Sequence, residues 1–165
     1  MLGRTYDDQV CSLARTLEVL GERWTLLVVR DALLGVRRFE DFQASLGIAR
    51  NVLTERLRRL VEAGVLRRVP YQERPQRFDY QLTKMGVELA MPIIALMHWG
   101  DRHLPVPDGP PRLIQHRGCG GAVEAELVCQ QCGLSIEPFR ATAVPGPGLI
   151  GDQERVPAQA GAQPD

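Results

Sequence analysis

The stretch ARNVLTERLRRLVEAG, residues 49–64, decides how this chain folds. Leu53, Leu57, Leu60 and Val61 recur at helical spacing and form one apolar stripe. Asn51, Glu55, Arg58 and Glu62 fall on the opposite side when residues are laid out at about 100° each. Gly64 closes the pattern, because glycine takes the left-handed conformation that ends a helix. One side of this helix needs a core, and the other is left for a polar partner.

Reading outward, the residues before it prepare the same architecture. Residues 38–46 put Phe39, Phe42 and Leu46 on one face and stop at Gly47, which gives a short helix and a tight turn. Residues 22–34 are apolar almost all round (Trp24, Leu26, Leu27, Val28, Val29, Leu33, Leu34), as expected of a central helix covered by its neighbours, and Gly35 ends them. Val10, Leu13, Ala14, Leu17 and Leu20 mark a first helix that stops at Gly21.

Downstream, residues 65–69 and 78–82 alternate in polarity and predict two strands, joined by a long arginine-bearing tip containing Pro70 and Pro75. Thr83 can cap a final helix running to about Arg102, with Met85, Leu89, Ile93, Leu96, Met97 and Trp99 as a broad apolar face and Pro92 as a kink. That face is wider than one small core needs, and self-association is its simpler use.

Short helix, glycine turn, second helix and hairpin together predict a winged helix-turn-helix, a mainly α (α+β) fold. A helix 10 to 12 Å across fits a major groove about 12 Å wide, so double-stranded DNA is the expected partner. The N-terminal half of residues 49–63 offers Arg50, Asn51, Thr54 and Glu55 to it, followed by Arg58 and Arg59. Arginine pairs with guanine, asparagine with adenine, and glutamate accepts from cytosine. Arg74, Gln76 and Arg77 would extend from the wing, and Arg37 and Arg38 would sit near a phosphate.

The overall formal charge of +0 conceals this concentration. Between positions 37 and 77 there are ten arginines against five acidic residues, so a basic middle sits inside a neutral chain. The remaining composition, 44% hydrophobic and 24% charged, is that of an ordinary globular protein. No apolar run approaches the roughly 20 residues needed to span a bilayer. The first residues carry no export signal, so a cytoplasmic location without membrane attachment is expected.

In their order, residues 11–20, GERWTLLVVRDALLG (21–35), RFEDF (38–42), LTERLRRL (53–60), EAGVL (62–66) and YQLT (80–83) resemble HxlR-type transcriptional regulators, which have a MarR-like winged helix. The resemblance covers about 95 residues. It implies a homodimer in which the first and last helices of the domain pack across a two-fold axis and each subunit offers its recognition helix to half of an inverted repeat. Members of this family often carry, at the position of Cys11, a thiol that responds to oxidants or electrophiles. A helix N-terminus favours the thiolate, while the alternative is a small buried hydrophobe beside Leu13 and Ala14.

Composition shifts at residues 105–111, where four prolines and a glycine make a linker. The reading therefore divides the chain into a DNA-binding and dimerisation domain (1–104), the linker, a small Cys/His unit (112–140) and a tail (141–165) whose Gly, Pro, Ala and Gln offer no core.

The small unit repeats one motif. His116-Arg-Gly-Cys119-Gly and Cys129-Gln-Gln-Cys132-Gly both read ligand, two residues, ligand, glycine. One histidine and three cysteines suit a structural, tetrahedral zinc in a zinc-ribbon-like β unit. Only nine residues separate Cys119 from Cys129, and a hairpin with free thiols or a redox disulfide is the competing reading. His98 and His103 are expected at the surface or the dimer interface.

No nucleophile with a nearby base and no phosphate loop stands out, so an enzyme is not expected. The expected function is sequence-specific repression of transcription, with a winged-helix module that binds protein rather than DNA as the alternative.

Overall fold

The computed structural model describes residues 5–6 and 9–150. They fall into two compact units, Leu17–Glu126 and a second formed from the residues up to Thr16 and those from Leu127 onward. The first helix, α1 (Ser12–Leu20), crosses the boundary between them.

Three helices frame the larger unit: α2 (Thr25–Leu33), α3 (Phe39–Leu46) and α4 (Arg50–Glu62). The α2 helix begins later than its apolar run, which starts at Glu22, because Trp24 takes a left-handed backbone (φ 80°) and turns the chain before the helix can start. The run is also less completely covered than expected: Val28 and Val29 are 0% exposed, but Leu27 and Leu34 are 38% and 49% exposed. Between α3 and α4 the chain turns at Gly47, whose φ of 60° suits glycine.

The stripe read from residues 49–63 is the centre of the core. Leu53, Leu57 and Leu60 are fully buried and pack with Val28, Val29, Phe42, Ile48, Val65 and Leu66. Each such side chain is worth roughly 1.5–3 kcal/mol of burial, which makes this contact the main force fixing the orientation of α4.

After Gly64, β1 (Leu66–Glu73) and β2 (Gln76–Leu82) pair antiparallel from Leu66 opposite Leu82 to Glu73 opposite Gln76. The long tip expected between them is not there: the strands run on until only Arg74 and Pro75 connect them. Pro70 did not stop β1, because a register shift between Pro70 and Gln72 and a free outer edge remove the demand for its missing N–H. On the other side of the hairpin Arg38 bridges to Asp79, and the N–H of Tyr80 donates to the carbonyl of Arg37 at 2.8 Å. The residues just before α3 therefore touch the wing through one isolated bridge, and the wing sheet itself has two strands.

The single kinked helix expected after Thr83 is two helices, α5 (Lys84–Glu88) and α6 (Ala90–His103). Pro92 lacks the N–H that would bond the Glu88 carbonyl, and its ring would crowd that oxygen. The helix stops and restarts at Leu89, which leaves Pro92 in a first turn where the missing donor costs little. Beyond α6 the unit has no further helix or strand, only an isolated bridge between Gln115 and Ala122 and a 3.6 Å approach of His98 Nδ1 to Glu124.

In the smaller unit, β3 (Leu127–Val128) pairs with β4 (Ser135–Ile136), followed by a 3₁₀ turn at Pro138–Arg140 and one helical turn, α7 (Pro147–Ile150). The expected zinc-ribbon-like β unit is thus reduced to strands of two residues each. The tail expected over 141–165 lies outside the described residues from 151 onward. No helix among the described residues is long and apolar enough to cross a membrane.

Candidate nucleic-acid interface

The backbone of α4 starts from Ala49, an extended residue with no side-chain cap, so the first N–H groups of the helix are open to an anion. Because the leucines are anchored, Arg50, Asn51, Thr54, Arg58 and Arg59 are exposed and Glu55 is half-buried between them. The Arg50 guanidinium lies 4.7 Å from the centre of the Phe39 ring, and the Thr54 hydroxyl donates to the Arg50 carbonyl at 2.8 Å. Thr54 is therefore exposed with its hydroxyl donor already engaged.

The arginines of the second half of α4 are not free cations. Arg58 donates from Nε to Glu55 Oε2 at 2.9 Å and from Nη2 to Glu55 Oε1 at 2.7 Å, and it also pairs with Glu62. Arg59 Nε donates to Glu55 Oε1 at 2.8 Å. Arg56 Nη2 donates to Glu22 Oε2 at 3.0 Å, and Arg59 lies 3.9 Å from the same carboxylate. The hydrogen bonds from Arg58, and then those from Arg59, hold the Glu55 carboxyl down at about 2, while Glu55 and Glu62 raise the Arg58 guanidinium above its ordinary value. The sequence counts these arginines, Arg56 among them, as positive charge and gives no role to Glu22. Only the crossing of distant segments reveals that pairing.

Unpaired positive charge sits elsewhere. Among the described residues, Arg37, Arg50, Arg74 and Arg77 have no carboxylate within ion-pair distance. Arg74, Gln76 and Arg77 are exposed at the wing turn, which is steadied by Gln72 Nε2 donating to the Arg74 carbonyl at 3.1 Å. Arg38 is partly spent, 3.9 Å from Asp79 and 4.8 Å above the Tyr71 ring. Arg68, which the sequence did not single out, lies 3.8 Å over Phe78.

Helix and wing meet at an open cleft of about 300 Å³ lined by Phe39, Arg50, Tyr71, Gln76, Arg77 and Tyr80. Two of the predicted contacts on the wing, Gln76 and Arg77, and one on the recognition helix, Arg50, thus share one wall. The Phe39 ring beneath the Arg50 guanidinium supports that cation without neutralising it.

The other candidate residues lie apart from this cleft. Cys11 is exposed and its carbonyl accepts from the N–H of Arg15 at 3.1 Å, so it stands at the start of α1 rather than buried beside Leu13 and Ala14. The two Cys/His motifs fold into the same turn. The His116 N–H donates to the Gly121 carbonyl and the Gly120 N–H returns to the His116 carbonyl, at 2.9 and 2.8 Å. The Cys129 N–H donates to the Leu134 carbonyl and the Gly133 N–H to the Cys129 carbonyl, again at 2.9 and 2.8 Å. Gly120 and Gly133 have φ values of 72° and 70°, which is why each motif needs its glycine. His116 Nδ1 is 3.3 Å from Cys119 Sγ. The Cys129 thiol is lowered from its ordinary value, first by the backbone N–H of Cys132 and then by that of Gln131. Among the described residues no three His, Cys, Asp or Glu side chains gather as a metal would require.

Comparison with known proteins agrees with this geometry. A family model described as HxlR-like helix-turn-helix matches residues 19–108. An uncharacterized HTH-type transcriptional regulator of Mycobacterium tuberculosis is 48% identical over 138 residues, covering 84% of this chain and 87% of its own. The crystal structure of PA1607, described as a candidate transcription factor, superposes with a TM-score of 0.73 at 36% identity, covering 82% of this chain and 94% of that one. The redox regulator HypR in its reduced form superposes with a TM-score of 0.53 at 28% identity, covering 57% of this chain and 96% of that one.

Proposed function

The chain belongs to the HxlR-like helix-turn-helix family and is an HTH-type transcriptional regulator, and on that premise we propose that it represses transcription as a homodimer bound to an inverted DNA repeat. The observation that carries this reading is the orientation of α4: three leucines are buried completely, while Arg50, Asn51 and Thr54 are exposed and Arg50 shares a cleft with Gln76 and Arg77 of the wing. Phosphate neutralisation falls to Arg37, Arg50, Arg74 and Arg77, and base reading to the first turns of α4.

Dimerisation is supported by the outer face of α6, where Met91, Leu96 and Trp99 are 69%, 56% and 52% exposed. An apolar surface of this kind on a soluble domain is a contact surface. Repression follows from size, since a compact dimer seated on a promoter blocks polymerase by occupancy. Control by oxidants or electrophiles through Cys11 is supported by its exposure at a helix start and by the redox role of HypR. A structural zinc held by His116, Cys119, Cys129 and Cys132 is supported by their donor chemistry and by the repeated turn.

The test is a footprint of the purified protein on the DNA upstream of its own gene. Protection of two half-sites about one helical turn apart, lost steeply between 50 and 200 mM salt, is the expected result. Equal affinity for random duplex would overturn sequence-specific repression.

A further inference from the structure

Taking α4 as the recognition helix, we propose that Glu55 is the residue that sets sequence specificity, by accepting a hydrogen bond from the exocyclic amino group of a cytosine in the major groove.

The case begins with satisfiability. An ionised carboxylate offers about four acceptor positions, two on each oxygen. Oε1 of Glu55 is filled by Arg58 Nη2 at 2.7 Å and Arg59 Nε at 2.8 Å, whereas Oε2 holds only Arg58 Nε at 2.9 Å. One position on Oε2 remains, and the side chain is still 37% exposed to receive a donor. With two guanidinium groups holding both oxygens, the carboxylate cannot swing away from a mismatched base, as an unclamped glutamate would. A single fixed acceptor reads a single donor.

Electrostatics sharpens the choice. A bare carboxylate facing the duplex would be repelled by phosphates, but Arg58 and Arg59 cancel its charge while leaving its acceptor in place. Those two arginines are therefore positioning residues for Glu55 rather than phosphate contacts. Among base edges, guanine and thymine present acceptors in the major groove and would oppose Oε2. Adenine places its N7 acceptor beside its amino group, which a carboxylate has no hydrogen to satisfy. Cytosine presents its amino group without that neighbour. Glu55 thus rewards one base and penalises the others, since a clamped acceptor left without a donor loses its water for nothing.

The experiment selects bound duplexes from a randomised pool with the full-length wild-type protein, Glu55→Gln and Glu55→Ala, and then measures the affinity of each for its selected site and for random duplex. Thermal melts confirm that all three are folded. Wild type should select one fixed cytosine in each half-site. Both variants should lose the preference at that position alone, keep the others, and bind random duplex more tightly. Their ratio of specific to random affinity should drop about tenfold, the usual scale of one base contact. Variants that still select the same cytosine overturn the assignment to Glu55 while leaving the recognition helix intact. Failure of the wild type to select any sequence overturns both the proposal and the reading of α4 on which it rests.

Discussion

The hydroxyl of Thr83 donates to the carbonyl of Gly64 at 2.6 Å and accepts from the N–H of Gly86 at 3.2 Å. One side chain thereby joins the end of the recognition helix to the start of α5 across the base of the wing. Replacing Thr83 by Val keeps its shape and removes both bonds, and should cost about 1–2 kcal/mol in urea unfolding, whereas Thr83→Ser should lose much less. A Val variant as stable as wild type would show that the tie contributes nothing.

Gly86 next to it should not tolerate even a methyl group. Helix propensity alone favours alanine over glycine by about 1 kcal/mol. A Cβ at Gly86 would, however, overlap the carbonyl oxygen of Val65 and come within 2.9 Å of Leu82 Cδ2. That carbonyl is already held by the N–H of Thr83 at 3.1 Å, so it cannot yield freely. Gly86→Ala should be destabilised by about 1–3 kcal/mol, read as a lower denaturant midpoint.

The Glu55 clamp makes a prediction about pH. With its carboxyl held at about 2 instead of 4.5, the folded state binds this proton less readily than the unfolded chain. The clamp's contribution is complete above 4.5 and fades as the pH falls towards 2. Carboxyl NMR titration should find Glu55 ionised at pH 3.5, and Arg58→Ala should move its midpoint up towards the ordinary value. A wild-type midpoint above 4 would mean that the clamp does not persist in solution.

Metal content is the fourth prediction. Protein purified without chelator should carry about one zinc per chain, and Cys129→Ser should lose it while the winged helix keeps its melting transition. Metal-free protein with four titratable thiols would return His116, Cys119, Cys129 and Cys132 to the competing reading of a hairpin with free thiols.

Most of the winged helix was legible because its signals are local. The leucine period of α4, the glycines at 35, 47 and 64 and the Thr83 cap each act within a few residues of themselves, so the same answer holds in any context. The misjudged places are those where a neighbour decides. Pro70 reads as a strand breaker until its edge position and the shifted register are known. The start of α2 could not be foreseen because nothing local announces the left-handed Trp24.

By itself the sequence determined which side of each helix is apolar, and hence that one helix would present Arg, Asn and Glu away from a core. Periodicity is a property of the chain alone. Tertiary structure decided which of those charges are available. Glu22 reaches Arg56 across 34 residues and Asp79 meets Arg38 across the wing, so an arginine's effective charge depends on which carboxylates the fold brings near. Coulomb attraction acts over a few ångströms of space, and no count along the chain measures that distance.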